Sequence, residues 1–203
     1  LKFIPVSGGY TMVDTYNFSR GTMDVIAFID ENNNDIYDEN EAALEDIRFR
    51  LSHLNEIFIT DETGRSTIVG LMDNRVNSIY IDSLKENIAY RPKVTRKDFT
   101  GRNAYMGQFY FPFIKSVYVD GFLLIIDANG ENKQIAADSI FLLNLDTNKK
   151  IIPNIVQGGY FFVNVEDFGQ YRMGADNCIS DEITIDWSEA GYVGLDEVKL
   201  VCE

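Results

Sequence analysis

The sequence is poor in the residues that most metal sites, catalytic pairs and membrane spans require. Its 203 residues include one histidine (His53), two cysteines and four prolines. One histidine and two cysteines cannot fill a four-ligand zinc site without carboxylates, and no local signature supports a Cys–His catalytic pair. No apolar run approaches the roughly 18 residues that cross a bilayer as a helix, so we expect no membrane insertion.

Positive charge is also scarce. Lys and Arg number 18 against 32 Asp and Glu, which gives a formal net charge of −14. Phosphate backbones and anionic lipids repel such an acidic chain, so nucleic acids and membrane surfaces are poor partners for it. The Gly-x-Ser-x-Gly, His-Glu-x-x-His and phosphate-loop motifs are absent as well, and we predict that the chain is not an enzyme.

The composition is nevertheless that of a folded protein. Apolar residues make up 45% and charged residues 25% of the chain, which is enough apolar side chain to build a core. The length suits one large or two small domains. The sequence begins with Leu1 and no signal peptide follows, so we expect a piece of a longer or processed protein.

Apolar and polar residues alternate along most of the chain, which is the pattern of half-buried β-strands. In one clear case Ile47, Phe49 and Leu51 are predicted to face a core, while Arg48 and Arg50 face water. Similar runs occur at 23–29, 56–60, 66–69, 78–81, 108–113, 116–127, 139–145, 150–156, 160–165 and 182–187. No segment has a sustained 3.6-residue period. The pattern therefore predicts an all-β protein of two tandem immunoglobulin-like or prealbumin-like β-sandwich domains.

The domain boundary is expected where polar, turn-forming and basic residues gather, between about residues 90 and 111. We predict a leading segment at 1–21 with room for a first strand, a first sandwich at 22–95, a linker at 96–110 and a second sandwich at 111–203. An apolar strand that ends in Asp and an Asn-containing turn occurs in each half. This favours two related copies, with two unrelated β domains as the alternative.

The two cysteines, Cys178 and Cys202, lie close together in the sequence. We favour a disulfide, which would close a loop of about 25 residues and contribute roughly 3 kcal/mol in the chain-entropy model. A disulfide requires an oxidising compartment, which fits an exported protein. Two buried free thiols in a cytosolic protein are the alternative.

The strongest motif is a polar loop at residues 30–41, which read DENNNDIYDENE. When these are numbered 1 to 12, side-chain oxygens fall at positions 1, 3, 5, 9 and 12, and position 7 can offer its backbone carbonyl. This is the ligand spacing of a calcium loop, because Ca²⁺ takes six to eight hard oxygens. The predicted ligands are Asp30, Asn32, Asn34, Ile36, Asp38 and Glu41.

Two features of the loop depart from the helix–loop–helix pattern. Position 6 usually carries glycine because the chain turns there with positive φ, and here it is Asp35, a residue type that tolerates this conformation better than most. Strands rather than helices are predicted on both sides. The alternative interpretation is a solvated acidic turn. A second loop, which starts at Asp127, lacks the terminal acids and is predicted to be a plain turn.

The segment from about 22 to 82 resembles modules of bacterial surface proteins. These are the calcium-binding B-type repeats of serine–aspartate adhesins and the related prealbumin-like, carboxypeptidase-regulatory-like sandwiches. The likeness is carried by the strand that ends in Asp30, the oxygen-rich loop to Glu41, the strand at 47–51 and the turn from Thr60 to Gly64. The resemblance implies a structural Ca²⁺ and a location outside the cytoplasm. Asp35 stands where the family pattern has glycine.

The C-terminal half resembles the periplasmic C-terminal region of outer-membrane fimbrial ushers, which carry paired cysteines and end shortly after the second. The order of Trp187 after Cys178 differs from the usher pattern, in which the strand with Trp precedes the first cysteine. The resemblance implies pilus subunits or their chaperones as protein partners and the periplasm or outer membrane as the location.

Three functions follow as expectations. The first is a non-enzymatic structural or interaction module of an exported bacterial protein, in particular the usher-like region. The second is a calcium-stabilised stalk module of a cell-surface adhesin. The third is a carbohydrate-binding module, in which exposed aromatic rings of Tyr105, Phe109, Tyr110 or Tyr118 would stack on sugars, although aromatic residues on strands more often belong to a core.

Overall fold

The structure is a computed structural model that describes residues 2–6, 9–13, 21–82, 89–102 and 105–202, with 2–6, 9–13 and Tyr105 described by their backbone alone. The all-β prediction is confirmed, since within these ranges the only helical segment is a 3-10 turn at Ala137–Ser139. None of the described residues forms a helix long and apolar enough to span a bilayer.

The strands of the described segments are β1 (Lys2–Val6), β2 (Gly9–Val13), β3 (Gly21–Ile29), β4 (Arg48–Leu51), β5 (Ile57–Ile59), β6 (Arg65–Leu71), β7 (Val76–Ile81), β8 (Tyr90–Pro92), β9 (Arg96–Thr100), β10 (Tyr105–Lys115), β11 (Val117–Ile126), β12 (Ile140–Asn144), β13 (Lys150–Ile151), β14 (Asn154–Ile155), β15 (Tyr160–Val165), β16 (Gly169–Ala175), β17 (Cys178–Ile185) and β18 (Tyr192–Cys202). β1 and β2 pair as an antiparallel hairpin.

The chain divides into two compact units. Unit 1 holds the described residues of Leu1–Glu86 and Arg91–Ile114, and unit 2 those of Asn87–Tyr90 and Lys115–Glu203. The stretch 96–110, expected as a linker, instead contains β9 and the first part of β10, both in unit 1. β9 is an edge strand whose alternate residues are exposed and polar, which gives it the composition of a linker.

Unit 1 contains two four-stranded sheets. One has the order β6-β3-β10-β8 and the other β5-β4-β7-β9. β3 pairs in parallel with β10 and antiparallel with β6, and every residue of β3 is buried. The rings of Phe49 on β4 and Phe111 on β10 lie 4.7 Å apart between centroids, which joins the two sheets through the core. This is the β-sandwich that the alternating pattern predicts.

The predicted inward face of the 47–51 segment is confirmed. Ile47, Phe49 and Leu51 are buried in unit 1. Arg48 and Arg50 are half-buried, and the guanidinium of Arg50 pairs with Asp82 at 2.7 Å. Arg50 therefore covers part of the sheet with its apolar stem while its charged end reaches a polar partner.

Unit 2 is built from one continuous sheet of eight strands in the order β13-β12-β16-β17-β18-β11-β15-β14. Leu142 of β12 and Phe161 of β15, near opposite ends of this order, belong to one buried cluster. The sheet must therefore fold over on itself to enclose that core. The pairing of β17 with β18 is short, from Cys178↔Cys202 to Ser180↔Leu200.

The disulfide prediction is confirmed. Cys178 and Cys202 are directly opposite each other on β17 and β18, are both buried, and are bonded to one another. The bond adds a covalent link to the short pairing of β17 with β18.

Candidate metal centre

The oxygen-rich loop 30–41 is a closed excursion from the end of β3. The amide of Asp30 donates to Phe113 O at 2.8 Å, which holds the first loop residue against β10. After the loop the chain returns along β3: Ile29 N donates to Ala42 O at 2.8 Å and Leu44 N donates to Ala27 O at 2.9 Å. Both ends of the loop are thus fixed by backbone hydrogen bonds to buried strands of unit 1.

Asp30, the first predicted ligand, is the anchor of the loop. Its side chain is 0% exposed. Its Oδ1 accepts the Asn34 amide and its Oδ2 accepts the Asp35 amide, both at 3.0 Å. Burial raises the pKa of this carboxyl, but the hydrogen bonds from Lys93 and from the two amides outweigh it, and the pKa lies below its ordinary value. Asp30 is therefore a charged, preorganised carboxylate.

The side chains at positions 3, 5 and 9 of the loop converge on one point. Asn32 Nδ2 donates to Asp38 Oδ2 at 2.7 Å, and Asn34 Nδ2 donates to the same oxygen at 3.0 Å. Asn34 Oδ1 in turn accepts the Ile36 amide at 2.7 Å. The structure thus brings two predicted ligand side chains, Asn32 and Asn34, to the carboxylate of a third, Asp38.

Glu41, the predicted last ligand, closes the loop from the other side. Its Oε1 accepts the amide of Glu31 and its Oε2 accepts the amide of Asp38, both at 3.0 Å. The residue is 5% exposed. Both oxygens of Glu41 therefore point into the loop, as those of a bidentate ligand would. In this structure they accept backbone amides.

Ile36 behaves as the spacing predicts for a residue that contributes only its carbonyl. Its side chain points to solvent and the residue is 63% exposed. Among the described residues, no group of three or more His, Cys, Asp or Glu side chains is arranged to hold a metal by itself. A cation in this loop would therefore depend on the amide oxygens of Asn32 and Asn34 and on backbone carbonyls as well as on carboxylates.

The backbone of the loop is left-handed where the motif requires it. Asp35 has φ 62° and Asn33 has φ 60°. Asp and Asn enter this region at lower cost than other non-glycine residues. The departure from glycine at position 6 is thus accommodated, and the side chain that replaces glycine has a partner, because the Asp35 carboxylate forms an ion pair with Lys93.

Lys93 is a participant that the sequence analysis did not find. It follows β8, and its ammonium donates to Asp30 Oδ2 at 2.8 Å and to Asn33 Oδ1 at 2.5 Å. Burial lowers its pKa, but Asp30 and Asp35 outweigh that effect and raise the pKa above the ordinary value. Asp30 and Lys93 are 63 residues apart in the sequence, so only the fold shows that they meet.

Tyr37 is a second residue that the motif did not single out. Its ring centroid is 5.2 Å from that of Phe28 and 6.1 Å from that of Tyr110. The ring fixes the middle of the loop to β3 and β10. Tyr37 is the one aromatic residue of segment 30–41, and that is the signal for it in the sequence.

The turn from Thr60 to Gly64, which belongs to the same sequence pattern, contacts the segment that follows the loop. Thr60 Oγ1 donates to Leu44 O at 2.7 Å and accepts the Ile47 amide at 2.9 Å. Asp61 Oδ1 accepts the amides of Thr63 and Arg65, which shapes the turn toward β6. Thr60 therefore holds the segment between the loop and β4, whereas Asp61 shapes the turn between β5 and β6.

The second loop has the hydrogen bonding of an ordinary turn. Asp127 Oδ1 accepts the amides of Asn129 and Glu131 at 2.9 and 2.8 Å. In the described hydrogen bonds of this loop, no second carboxylate closes on Asp127 as Glu41 closes the first loop.

The aromatic residues considered for sugar binding contact other rings. Phe109 lies 4.9 Å from Phe99, Tyr110 packs on Tyr37, and Tyr118 stacks on Phe162 at 5.7 Å. The side chain of the fourth candidate, Tyr105, lies outside the described residues. The described rings therefore take part in packing within their own unit.

No protein-family model and no curated protein sequence matches the chain. Among solved structures, a streptococcal ancillary pilin matches at 12% identity and a TM-score of 0.40, over 96% of this chain and 65% of that one. The Bacillus anthracis TIE protein matches at 11% identity and 0.39, over 91% and 34%. The shaft pilin SpaA from Lactobacillus rhamnosus GG matches at 10% identity and 0.35, over 91% and 98%. The chain spans only part of the first two proteins, and scores this low carry no weight for function.

Proposed function

We propose that the chain is a non-enzymatic structural module of an exported bacterial surface protein and that one structural Ca²⁺ stabilises its first unit. The observation that carries the proposal is the convergence of Asn32 and Asn34 on Asp38, beside the buried Asp30 and Glu41. These side chains follow the spacing of a calcium loop on a backbone that is left-handed at position 6.

The donor chemistry fits a calcium ion. Three carboxylates, two amide oxygens and the Ile36 carbonyl give six hard oxygens, within the range that Ca²⁺ takes. Asn32 and Asn34 direct amide nitrogens at Asp38. A half-turn of each amide would bring its oxygen to that point, at the loss of the backbone hydrogen bonds that Asn32 Oδ1 and Asn34 Oδ1 now accept. Calcium would neutralise the clustered acids and hold the end of β3 to the segment before β4.

The confirmed disulfide in unit 2 supports export, because disulfides persist in oxidising compartments. Extracellular calcium is millimolar, so a site with only three carboxylate ligands and a dissociation constant of about 10⁻⁴–10⁻³ M would be filled there. These conditions suit a static clamp rather than a sensor.

Of the two surface roles, we propose the calcium-stabilised stalk of an adhesin over the usher region. The calcium loop belongs to the adhesin-like resemblance, whereas the disulfide is compatible with both roles. The pilus subunits and chaperones implied by the usher resemblance have no further observation in their favour.

Thermal unfolding with and without calcium tests the proposal. Binding to the folded state at tenfold excess over the dissociation constant contributes about 1.4 kcal/mol. In a unit of about 100 residues this corresponds to a rise in melting temperature on the order of 5–10 °C. Millimolar Ca²⁺ should raise the melting temperature by this amount, and a chelator should reverse it.

The variants Asp30→Ala and Glu41→Ala should remove the calcium-dependent rise. The matched control is Asp127→Ala, which alters the ordinary turn of unit 2 and should keep the rise. Identical melting curves of the unmodified protein in millimolar calcium and in chelator would show that loop 30–41 is an acidic turn without a metal.

A further inference from the structure

The loop already holds one positive charge that comes from elsewhere in the chain. The Lys93 ammonium contacts Asp30, Asn33 and Asp35, which are positions 1, 4 and 6 of the loop. Its side chain is 19% exposed. An ammonium and a metal ion both take oxygen donors, and here both would share the Asp30 carboxylate.

We propose that Lys93 is a tethered cation of this loop, which keeps the loop formed without metal and weakens its affinity for Ca²⁺ through repulsion. The proposal rests on the calcium site proposed above. It adds Lys93, which is not one of the proposed ligands, as a residue that sets the calcium concentration at which the site fills.

The two oxygens of Asp30 show how both cations can be present. Oδ2 is shared by Lys93 and the Asp35 amide, whereas Oδ1 accepts only the Asn34 amide among the hydrogen bonds described for it. A metal ion at Oδ1 would therefore lie within a few ångströms of the ammonium. Like charges at that separation repel, and the limited exposure of Lys93 leaves the repulsion only partly screened.

The same contacts explain what the lysine does in the absence of calcium. Asp30 is buried and charged, and a buried charge without a partner is strongly destabilising. Lys93 supplies that partner and also reaches Asn33, one of the two left-handed residues. The loop can therefore keep its backbone conformation when calcium is low, while its calcium affinity stays modest.

The test compares Lys93→Met, which removes the charge and keeps most of the stem, with Lys93→Arg, which keeps the charge. Calcium affinity is measured by titration calorimetry, and the melting temperature is measured in chelator. Lys93→Met should bind Ca²⁺ on the order of tenfold more tightly and melt lower in chelator. Lys93→Arg should stay close to the unmodified protein. The control Lys149→Met removes a surface ion pair with Asp167 in unit 2 and should leave calcium affinity unchanged.

In Lys93→Met the calcium affinity should rise while the melting temperature in chelator falls. A purely structural role of Lys93 would not raise the affinity. Calcium affinity in Lys93→Met that equals or falls below that of the unmodified protein overturns the proposal, even if the variant melts lower. Binding by the unmodified protein with no gain in Lys93→Met leaves the calcium site standing and rejects the lysine's role. Binding by Lys93→Met alone supports the lysine and rejects a calcium ion in the native loop. If neither binds, both proposals fail.

Discussion

At the scale of single residues, Gly64 explains why the turn after the metal loop carries glycine. Its φ is +69°, and a Cβ added there would lie 2.4 Å from the carbonyl oxygen of Ala27. The Gly64 carbonyl in turn accepts the Ala27 amide at 2.8 Å. The turn therefore contacts β3 directly at Ala27, a few residues before the loop begins at Asp30.

Replacing Gly64 by alanine should destabilise the protein for two reasons. A positive φ costs alanine about 1–2 kcal/mol, and the collision with a backbone oxygen adds to that cost. We expect the free energy of unfolding, measured by denaturant titration, to fall by about 3 kcal/mol or more. The matched control is Gly130→Ala: Gly130 also has positive φ, at +84°, but a Cβ there meets nothing within 4 Å. The control should lose only about 1 kcal/mol, and equal losses at both sites would contradict the role of the contact with Ala27.

Residue spacing selects Asn32, Asn34 and Asp38, whose side chains the fold brings together, because all three lie in one short stretch of the chain. It could not select Lys93, because the lysine reaches Asp30 only through the pairing of strands far apart in sequence. The packing role of Tyr37 also depends on contacts outside the loop. The pattern of ligand oxygens says nothing about which neighbouring ring packs on which strand.

At the scale of elements, the segment 96–110 shows where periodicity and composition disagree. Lys97 and Phe99 of β9 are partly covered, while Arg96, Asp98 and Thr100 are exposed. The Lys97 ammonium donates to Tyr110 O at 2.6 Å, and burial lowers its pKa. Charged residues on both faces of a short edge strand resemble a linker in sequence, and only the register with β7 identifies it as part of the sheet.

The disulfide yields a prediction for β17 and β18. The double variant Cys178→Ala/Cys202→Ala removes the covalent bond at one end of the three residue pairs that join these strands. The chain-entropy model gives a loss of roughly 3 kcal/mol for a loop of about this length. Chemical denaturation should show that loss. The unmodified protein in strong reductant should approach the variant, whereas the variant itself should not respond to reductant. A variant as stable as the oxidised protein would contradict the expectation.

At the scale of the whole molecule, the prediction of an all-β chain with two units is confirmed. The segment 96–110, expected between the units, belongs to unit 1. Period-two alternation identifies strands because one face of each is buried. It does not tell which strands share a sheet. The parallel pairings of β3 with β10 and of β11 with β18 join segments distant in the chain, and no local pattern encodes them.

Those parallel pairings have a mechanical consequence. In unit 2 the first strand, β11, and the last, β18, lie side by side from Tyr118↔Tyr192 to Ile126↔Val201, with a register shift of one residue after Gly121. A pull that draws Val117 away from Cys202 must slide one strand along the other, so their hydrogen bonds are loaded in shear and resist together. A pull on Gly169 and Ile185, which face each other at one end of the antiparallel β16–β17 pair, would instead open the bonds in succession. Single-molecule pulling should therefore need distinctly more force along the first axis than along the second, and equal forces would show that strand direction does not set the tensile strength of this unit.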